Sequence, residues 1–378
     1  MPSEISLQVL DWRRWPEVAP IWEHIHNSYP EASIFLCREW VDCWLETFGP
    51  SLKPELLAFR HEDEIVGCCL LVWRTRLVSG IPLRQVYLNC AGEDLADTTY
   101  IEFNSLLSLP GHEREVAASL AGYLKARAWD VFQMPGLLHR ETGDYFAALL
   151  GTSEVVTKPS PIVDFARVRA KGGDYISGLS ANTRSAIRRS QRSYEAIGGA
   201  VSVHFAQNPD EALAMLHQMA ELHQATWTAR GHAGCFSSTK FSQFHQQFIR
   251  RSFEHTLLAR VQAGEEVTGI LYCFLYRGWV FNYQSGFHYS LDRRRSPGKL
   301  TNYSIVAECL KREDLAGFDF MAGTDEYKKA LSGDSGENTL YWFSVRRNTI
   351  ASHLYYALRQ LKRSMSRKPG PRPATEST

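Results

Sequence analysis

The segment Arg293-Arg294-Arg295-Ser296-Pro297-Gly298-Lys299-Leu300 joins a run of cations to a helix start. Ser is a favoured N-cap, and Pro suits the first helical position, where its missing N–H costs nothing. The N–H groups of Gly298 and Lys299 then have no partner inside the helix, and Gly298 lets a ligand approach the backbone closely. Free N–H groups flanked by cations suit an anion such as a pyrophosphate. Capping explains Ser296 and Pro297 but not three arginines, which repel one another and the positive helix end. Arg295, Ser296, Gly298 and Lys299 are therefore the expected anion site.

Asp319 interrupts an apolar stretch between Phe318 and Phe320, and strand alternation puts it on the face opposite those rings. A lone acid there is either a structural acceptor for a backbone N–H or a general base for an amine. Tyr327 follows as either a core residue or a proton donor. Lys328 and Lys329 either complete an anion pocket or form the charged face of a short helix. Arg184, Arg188 and Arg192 share one helix face, which reads as a solvated face or a phosphate-capturing stripe. Asp94, Asp97, Tyr100 and Glu102 either line an acceptor groove or form a solvated acidic loop. His217, His223, His232, His245 and His255 lack metal-ligand spacing and read as structural, as does Cys68-Cys69 on a buried strand.

These residues sit in a repeat. Leu56-Leu57-Ala58 leads through an acidic turn to Ile65-Val66-Gly67 and an apolar run, and Leu257-Leu258-Ala259 leads through Ala263-Gly264-Glu265 to Val267-Thr268-Gly269 and another. Both read as β-hairpins, each preceded by two amphipathic helices: Trp15–His26 and Arg38–Phe48, then Asp210–Arg230 and Thr239–Phe253. The second copy continues with a strand at Trp279–Phe287, a helix at Ser296–Arg312, a strand at Gly317–Met321, a turn of helix at Glu326–Leu331 and a strand at Leu340–Arg346. The first continues with strand Gln85–Cys90, helix His112–Ala128, strand Asp130–Met134 and helix His139–Leu150. The order β-α-α-β-β-β-α-β-α-β makes three consecutive strands antiparallel neighbours, so the expectation is an α/β (α+β) fold of two tandem copies. The domains are expected at residues 1–159 and 160–348. A basic amphipathic helix (Ile350–Arg363) and a disordered tail (364–378) follow, within residues 349–378; the helix either docks on the protein or touches a membrane surface.

A strand, then R-x-x-G, then a helix resembles the acyl-CoA motif of the GCN5-related N-acetyltransferase (GNAT) superfamily. The stretches 281–287, 296–298 and 318–328, with Leu179 to Arg189, are similar to the BioF2-like acetyltransferases, including CelD-like proteins, which are relatives of the FemAB peptidyltransferases. The resemblance spans roughly residues 52–346 and implies two GNAT-like domains, each a mixed, mostly antiparallel sheet flanked by helices. It implies that backbone N–H groups at Gly298 hold a pyrophosphate and that Tyr283 and Gln284 lie on a strand splayed beside a thioester. It also implies that Ser285-Gly286 forms a bulge offering N–H groups to the acyl oxygen, that Tyr327 protonates the leaving thiolate, and that Lys328 neutralises substrate charge. Arg188 is assigned to substrate phosphate. The donor site belongs to the second half, because the corresponding loop of the first, Asn89 to Asp94, carries acids and lacks cations.

The chain has 378 residues, 42 Lys and Arg against 41 Asp and Glu, and eight dispersed cysteines with no CxxC pair. That balance argues against DNA or another bulk polyanion as partner, and the cysteine pattern against a zinc ribbon or a disulfide scaffold. No apolar run reaches a membrane span and the start lacks signal-peptide character, so the expected setting is cytoplasmic. The expected activity is N-acylation of a small or lipid-linked amine by acyl-CoA as co-substrate. No tightly bound cofactor or metal is expected, and the setting is polysaccharide or cell-envelope precursor synthesis. The alternatives are a FemAB-type aminoacyl-tRNA-dependent transferase and a non-catalytic binding protein.

Overall fold

The computed structural model describes residues 5–29 and 31–366. The first half runs β1 (Ser6–Asp11), α1 (Trp15–Ser28), α2 (Arg38–Leu52), β2 (Glu55–His61), β3 (Glu64–Val78), β4 (Ile81–Leu88), β5 (Leu107–Ser108), α3 (Glu113–Lys125), β6 (Val131–Leu137), α4 (Arg140–Leu150) and β7 (Thr152–Asp164). A connection of α5 (Phe165–Ala170) and α6 (Ala181–Gly198) leads to the second half. That half runs β8 (Val201–Phe205), α7 (Pro209–Ala229), α8 (Thr239–Arg251), β9 (Thr256–Ala263), β10 (Glu266–Tyr276), β11 (Trp279–Phe287), α9 (Pro297–Leu310), β12 (Gly317–Asp319), α10 (Glu326–Ser332) and β13 (Glu337–Arg346). Helix α11 (Ile350–Ser366) closes the described chain. Of the expected tail, residues 367–378 lie outside the described residues.

The fold is a mixed, mostly antiparallel α/β sheet flanked by helices, and the two halves share one topology. In the first, β1, β2, β3 and β4 are successive antiparallel neighbours and β6 joins β4 in parallel. In the second, β8, β9, β10 and β11 repeat that order and β12 joins β11 in parallel. The last strands are exchanged: β7 pairs with β12 of the other half and β13 with β6, and β7 and β13 pair with each other, closing one 13-stranded sheet. The expected division at residue 160 therefore falls inside β7. Lys158-Pro159-Ser160-Pro161 looks like a break, since proline usually interrupts a central strand. It is tolerated because β12 pairs only with residues 162–164. The carbonyls of Pro159 and Pro161 instead accept from the N–H groups of Gly323 and Phe320, irregular backbone that asks for no N–H in return.

Three cores hold these layers. One packs α3 and α4 on the first half of the sheet, and one packs α6 and α9 on the second. The largest is shared: Trp22, Trp40, Trp44 and Phe48 of α1 and α2 meet Phe244 and Phe248 of α8 and Tyr272 and Phe274 of β10. Trp40 stands edge-on to Phe244 at 4.7 Å and to Phe248 at 5.4 Å, so the amphipathic faces of the two helix pairs bury each other.

Candidate active site

Strand β11 makes the site. Beside β12 it is paired only from Trp279 to Phe281. From Asn282 to Phe287 the two strands have separated, and this length of β11 keeps backbone groups open on one edge. Opposite β10 a bulge occurs, but at Tyr283 rather than at Ser285-Gly286: Tyr272 pairs with Gln284 and Cys273 with Asn282, leaving Tyr283 as the extra residue, while Ser285 and Gly286 pair regularly with Leu271 and Ile270. The bulge turns the Tyr283 ring towards the shared core, 5.0 Å from His245 and 4.7 Å from Phe274, and its hydroxyl donates to the Thr99 carbonyl at 2.5 Å. Gly286 is needed where it lies, because a Cβ there would stand 2.3 Å from the Met219 carbonyl oxygen of α7.

The opening holds a pocket of about 750 Å³ between the halves. Its walls include Tyr100 and Glu102 from the first half, Lys158 of β7, Asn282, Tyr283 and Gln284 of β11, and Lys328 of α10. Glu102 Oε2 accepts from the Ala322 N–H at 2.9 Å. Burial pushes its carboxyl up to about 7, against the opposing pull of that N–H and of Lys328. Lys328 is buried and donates to the carbonyls of Met321 and Ala322, both at 3.1 Å. Burial lowers its pKa, with Glu102 and Asp325 resisting. Lys158 lies 4.3 Å from the centre of the Trp342 ring, which holds its ammonium beside the pocket. A carboxyl titrating near neutrality between two ammonium groups can take a proton from a bound amine.

A second pocket, of about 250 Å³, lies at the start of α9 and is lined by Phe287, Tyr289, Arg295, Ser296, Pro297, Gly298, Lys299 and Tyr327. Ser296 is at the N-cap, but its side chain makes no capping bond and its N–H donates to Ser190 Oγ on α6. The first-turn N–H groups thus face the pocket uncapped. A Cβ on Gly298 would meet only the edge of Phe287, at 3.5 Å. The arginine run is less exposed to self-repulsion than its sequence suggests. Asp292 accepts from the Arg294 side chain and backbone, which holds its carboxyl below the usual range, and lies 3.8 Å from Arg295. Arg295 is further fixed by Ser193 Oγ at 3.3 Å and by the Tyr194 ring. The two pockets adjoin through neighbouring residues: Tyr327 opens to the second and Lys328 to the first. An amide chain also ties them, Asn282 Nδ2 donating to Asn302 Oδ1 and Asn302 Nδ2 to the Gly298 carbonyl, both at 2.8 Å. Burial pushes the Tyr327 phenol well above its ordinary range, so it stays protonated.

The remaining expected residues lie elsewhere. Asp319 reaches neither pocket: it is fully buried, with oxygens taken by Ser160 Oγ (2.5 Å), the Met321 N–H (2.7 Å) and Asn338 Nδ2 (3.1 Å). Those partners come from β7, the end of β12 and β13, so Asp319 fastens the strand exchange and shapes the turn whose carbonyls hold Lys328. Burial raises its carboxyl to about 6. Arg188 lies with Arg184 and Arg192 along a separate groove of about 550 Å³ on α6. Asp94 is paired with Arg74 at 2.9 Å, and Asp97 accepts from Ser238 Oγ at 2.6 Å, so of the four acidic-loop candidates only Tyr100 and Glu102 line the pocket. His223, His232 and Cys235 also line it; their spacing gives no metal signature, and only the fold brings them to the wall.

In the first half the equivalent opening is filled. The Asn104 N–H donates to the Gly136 carbonyl of β6, and Asn89 Nδ2 donates to Asn104 Oδ1 (2.7 Å) and to the Ser105 carbonyl (2.8 Å). The segment leading to β5 thus occupies the gap that stays open beside β11.

Residues 181–329 match the family model of the acetyltransferase (GNAT) domain. No curated protein matches the chain. Among solved structures it is similar to FemX (12% identity, 90% of this chain and 98% of that one, TM-score 0.54) and to a conserved protein of unknown function from Bacteroides thetaiotaomicron (8% identity, 91% and 100%, TM-score 0.51). A tandem GNAT protein from the clavulanic acid biosynthesis pathway aligns at 13% identity over 90% and 98%, with a TM-score of 0.48. At these identities the likeness is one of fold, and it covers nearly the whole chain. The open strand pair, the uncapped α9 start and the pocket walls on β11 and α10 all fall within the segment, residues 181–329, that matches the GNAT acetyltransferase-domain model.

Proposed function

We propose that the chain transfers an acyl group from a coenzyme A thioester to an amine, the second half holding the donor and the first half contributing to the acceptor pocket. The observation that carries this reading is the separation of β11 from β12 past Phe281, with an uncapped helix start on one side and a pocket holding a near-neutral carboxyl on the other. The pyrophosphate would lie against the N–H groups of Gly298 and Lys299, with Arg295 and Ser296 at the rim, and the pantetheine arm would run along the open edge of β11 past Ser285 and Gln284. The acyl oxygen would find backbone N–H groups there. Glu102 takes the proton of the incoming amine, a role that falls to it because Asp319 has no free face. Tyr327, kept protonated, supplies one to the departing thiolate. Lys328 and Lys158 complement a negative charge on the acceptor, which favours an amine that also bears a carboxylate or phosphate. The motif stretches at 281–287, 296–298 and 318–328 all line or support these two pockets, which supports placement among the BioF2-like acetyltransferases. The α6 groove with Arg188 would take a donor or acceptor phosphate.

The same cations would face the phosphates of an aminoacyl-tRNA, so the test must separate the donors. Acetyl-CoA is mixed with a panel of amines, with and without an acidic group, and release of free coenzyme A thiol is followed. Thiol release that depends on the amine, and falls roughly 10²–10⁴-fold in Glu102→Gln, is the expected result. No release from acetyl-CoA, with transfer from an aminoacyl-tRNA instead, would replace the donor.

A further inference from the structure

Of the eight cysteines, all free, seven are buried and only Cys235 is partly exposed. It begins a short turn, Cys235–Ser237, in the loop between α7 and α8, and it lines the larger pocket together with Gln284, Glu102 and Lys328. Its Sγ lies 3.7 Å from Nε2 of His223 on α7. The other ring nitrogen, Nδ1, lies 3.3 Å from Gln224 Oε1. Gln224 is fixed in orientation, because its Nε2 donates to the Ala233 carbonyl at 2.6 Å, so the oxygen must face the ring. The proton of His223 is therefore on Nδ1, and Nε2 presents a lone pair to the thiol. The loop is shaped around this arrangement: Gly234 has φ +73°, and a Cβ there would stand 2.2 Å from Gln224 Oε1. Trp227 and Phe236 pack on the imidazole at 5.8 and 5.2 Å. A thiol, a base aimed at it and a third group orienting the base form the arrangement of an activated nucleophile.

We propose that Cys235 accepts the acyl group from the donor and passes it to the amine, with His223 as its base and Gln224 positioning His223. The proposal rests on the thioester-donor reading above. In the first step Sγ attacks the donor carbonyl while its proton moves to His223 Nε2. The bond from that carbonyl to coenzyme A breaks, the departing thiolate takes a proton from Tyr327, and the proton on Nε2 returns through solvent to the tyrosine, leaving His223 and Tyr327 neutral. In the second step the amine attacks the Cys235 thioester, a C–N bond forms and the C–Sγ bond breaks. The hydrogen the amine loses passes through Glu102 to the cysteine sulfur, so the enzyme returns to its starting state. Both steps exchange groups at one oxidation level and need no further reactant. Burial keeps His223 neutral and holds the thiol up to about 12, so the proton leaves sulfur only as the attack occurs.

The test uses the full chain with acetyl-CoA and no acceptor, quenched in acid and weighed intact. A gain of one acetyl group, mapped to Cys235, absent in Cys235→Ala and reduced in His223→Gln, is expected. With an amine present, double-reciprocal plots at varied acetyl-CoA should be parallel, and turnover in Cys235→Ala should fall by roughly 10²-fold or more. Calorimetry with coenzyme A accompanies each variant. Intact coenzyme A binding with no adduct, intersecting plots and full turnover in Cys235→Ala would overturn the acyl-cysteine step and leave direct transfer. Absence of coenzyme A binding in the unaltered protein would overturn the donor reading, and the acyl-cysteine step with it.

Discussion

At the scale of single residues, the division of labour follows from what each acid can reach. Asp319 and Glu102 are both raised by burial, to about 6 and about 7, but only Glu102 opens to the pocket. Turnover should rise with pH through about 7 as Glu102 ionises, and Glu102→Gln should remove that limb as well as lowering the rate roughly 10²–10⁴-fold. A pH–rate profile of both proteins checks this. Asp319→Asn should leave the limb in place. Both carboxyls bind protons more tightly folded than unfolded. Their contribution to stability is therefore full below about pH 4 and declines as pH rises towards 6 for Asp319 and 7 for Glu102. Thermal unfolding between pH 4 and 8 should show that decline, and it should be shallower in Glu102→Gln. The sequence showed an isolated acid at Asp319 and could not show that Ser160, 159 positions away, and Asn338 would consume it. Glu102 lay among acids with no periodic pattern, and its burial is produced by the other half of the chain. Tyr283, Gln284 and Lys328, which line the larger pocket, were singled out by the family resemblance, and the α9 start by its own capping residues.

At the scale of elements, hairpins, helix pairs and the order of strands follow the hydrophobic patterning, since strand and helix periods survive whatever packs on them. Thus β3 runs on to Val78, beyond the apolar run ending at Trp73, because its continuation alternates exposed Thr75 and Leu77 with half-buried Arg74, Arg76 and Val78 on a ribbon paired only with β4. The edge strands β1 and β8 and the proline-bearing β7 have no such pattern to announce them. Two glycines separate packing from binding. Gly286→Ala forces β11 from α7 and should destabilise the protein by about 1–3 kcal/mol in chemical denaturation. Gly298→Ala meets only an ordinary contact and replaces a poor helix former, so stability should hold or rise by up to about 1 kcal/mol while donor affinity falls. Unfolding and binding measured on the same sample distinguish the two.

At the scale of the molecule, the repeat in the sequence announces two copies, but not that each copy lends its last strand to the other. With β7 and β13 exchanged and Trp40 packed on Phe244 and Phe248, each half's sheet is completed by a strand of the other and the largest core is shared between them. Residues 160–348 expressed alone should show no cooperative unfolding, whereas the full chain should unfold in one transition; calorimetric scans of both decide it. The copies differ at one place: Asn89 and Asn104 close the gap in the first, and the equivalent gap in the second stays open. That asymmetry confines donor binding, as proposed, to the second half. It is tested by titrating coenzyme A into the full chain and into Gly298→Asp by calorimetry. One site per chain is expected in the unaltered protein. In the variant the affinity should be lower by orders of magnitude, since a carboxylate about 4 Å from the pyrophosphate costs roughly 4 kcal/mol at an effective dielectric near 20. Two sites per chain, or an unchanged affinity in a folded Gly298→Asp protein, would contradict it.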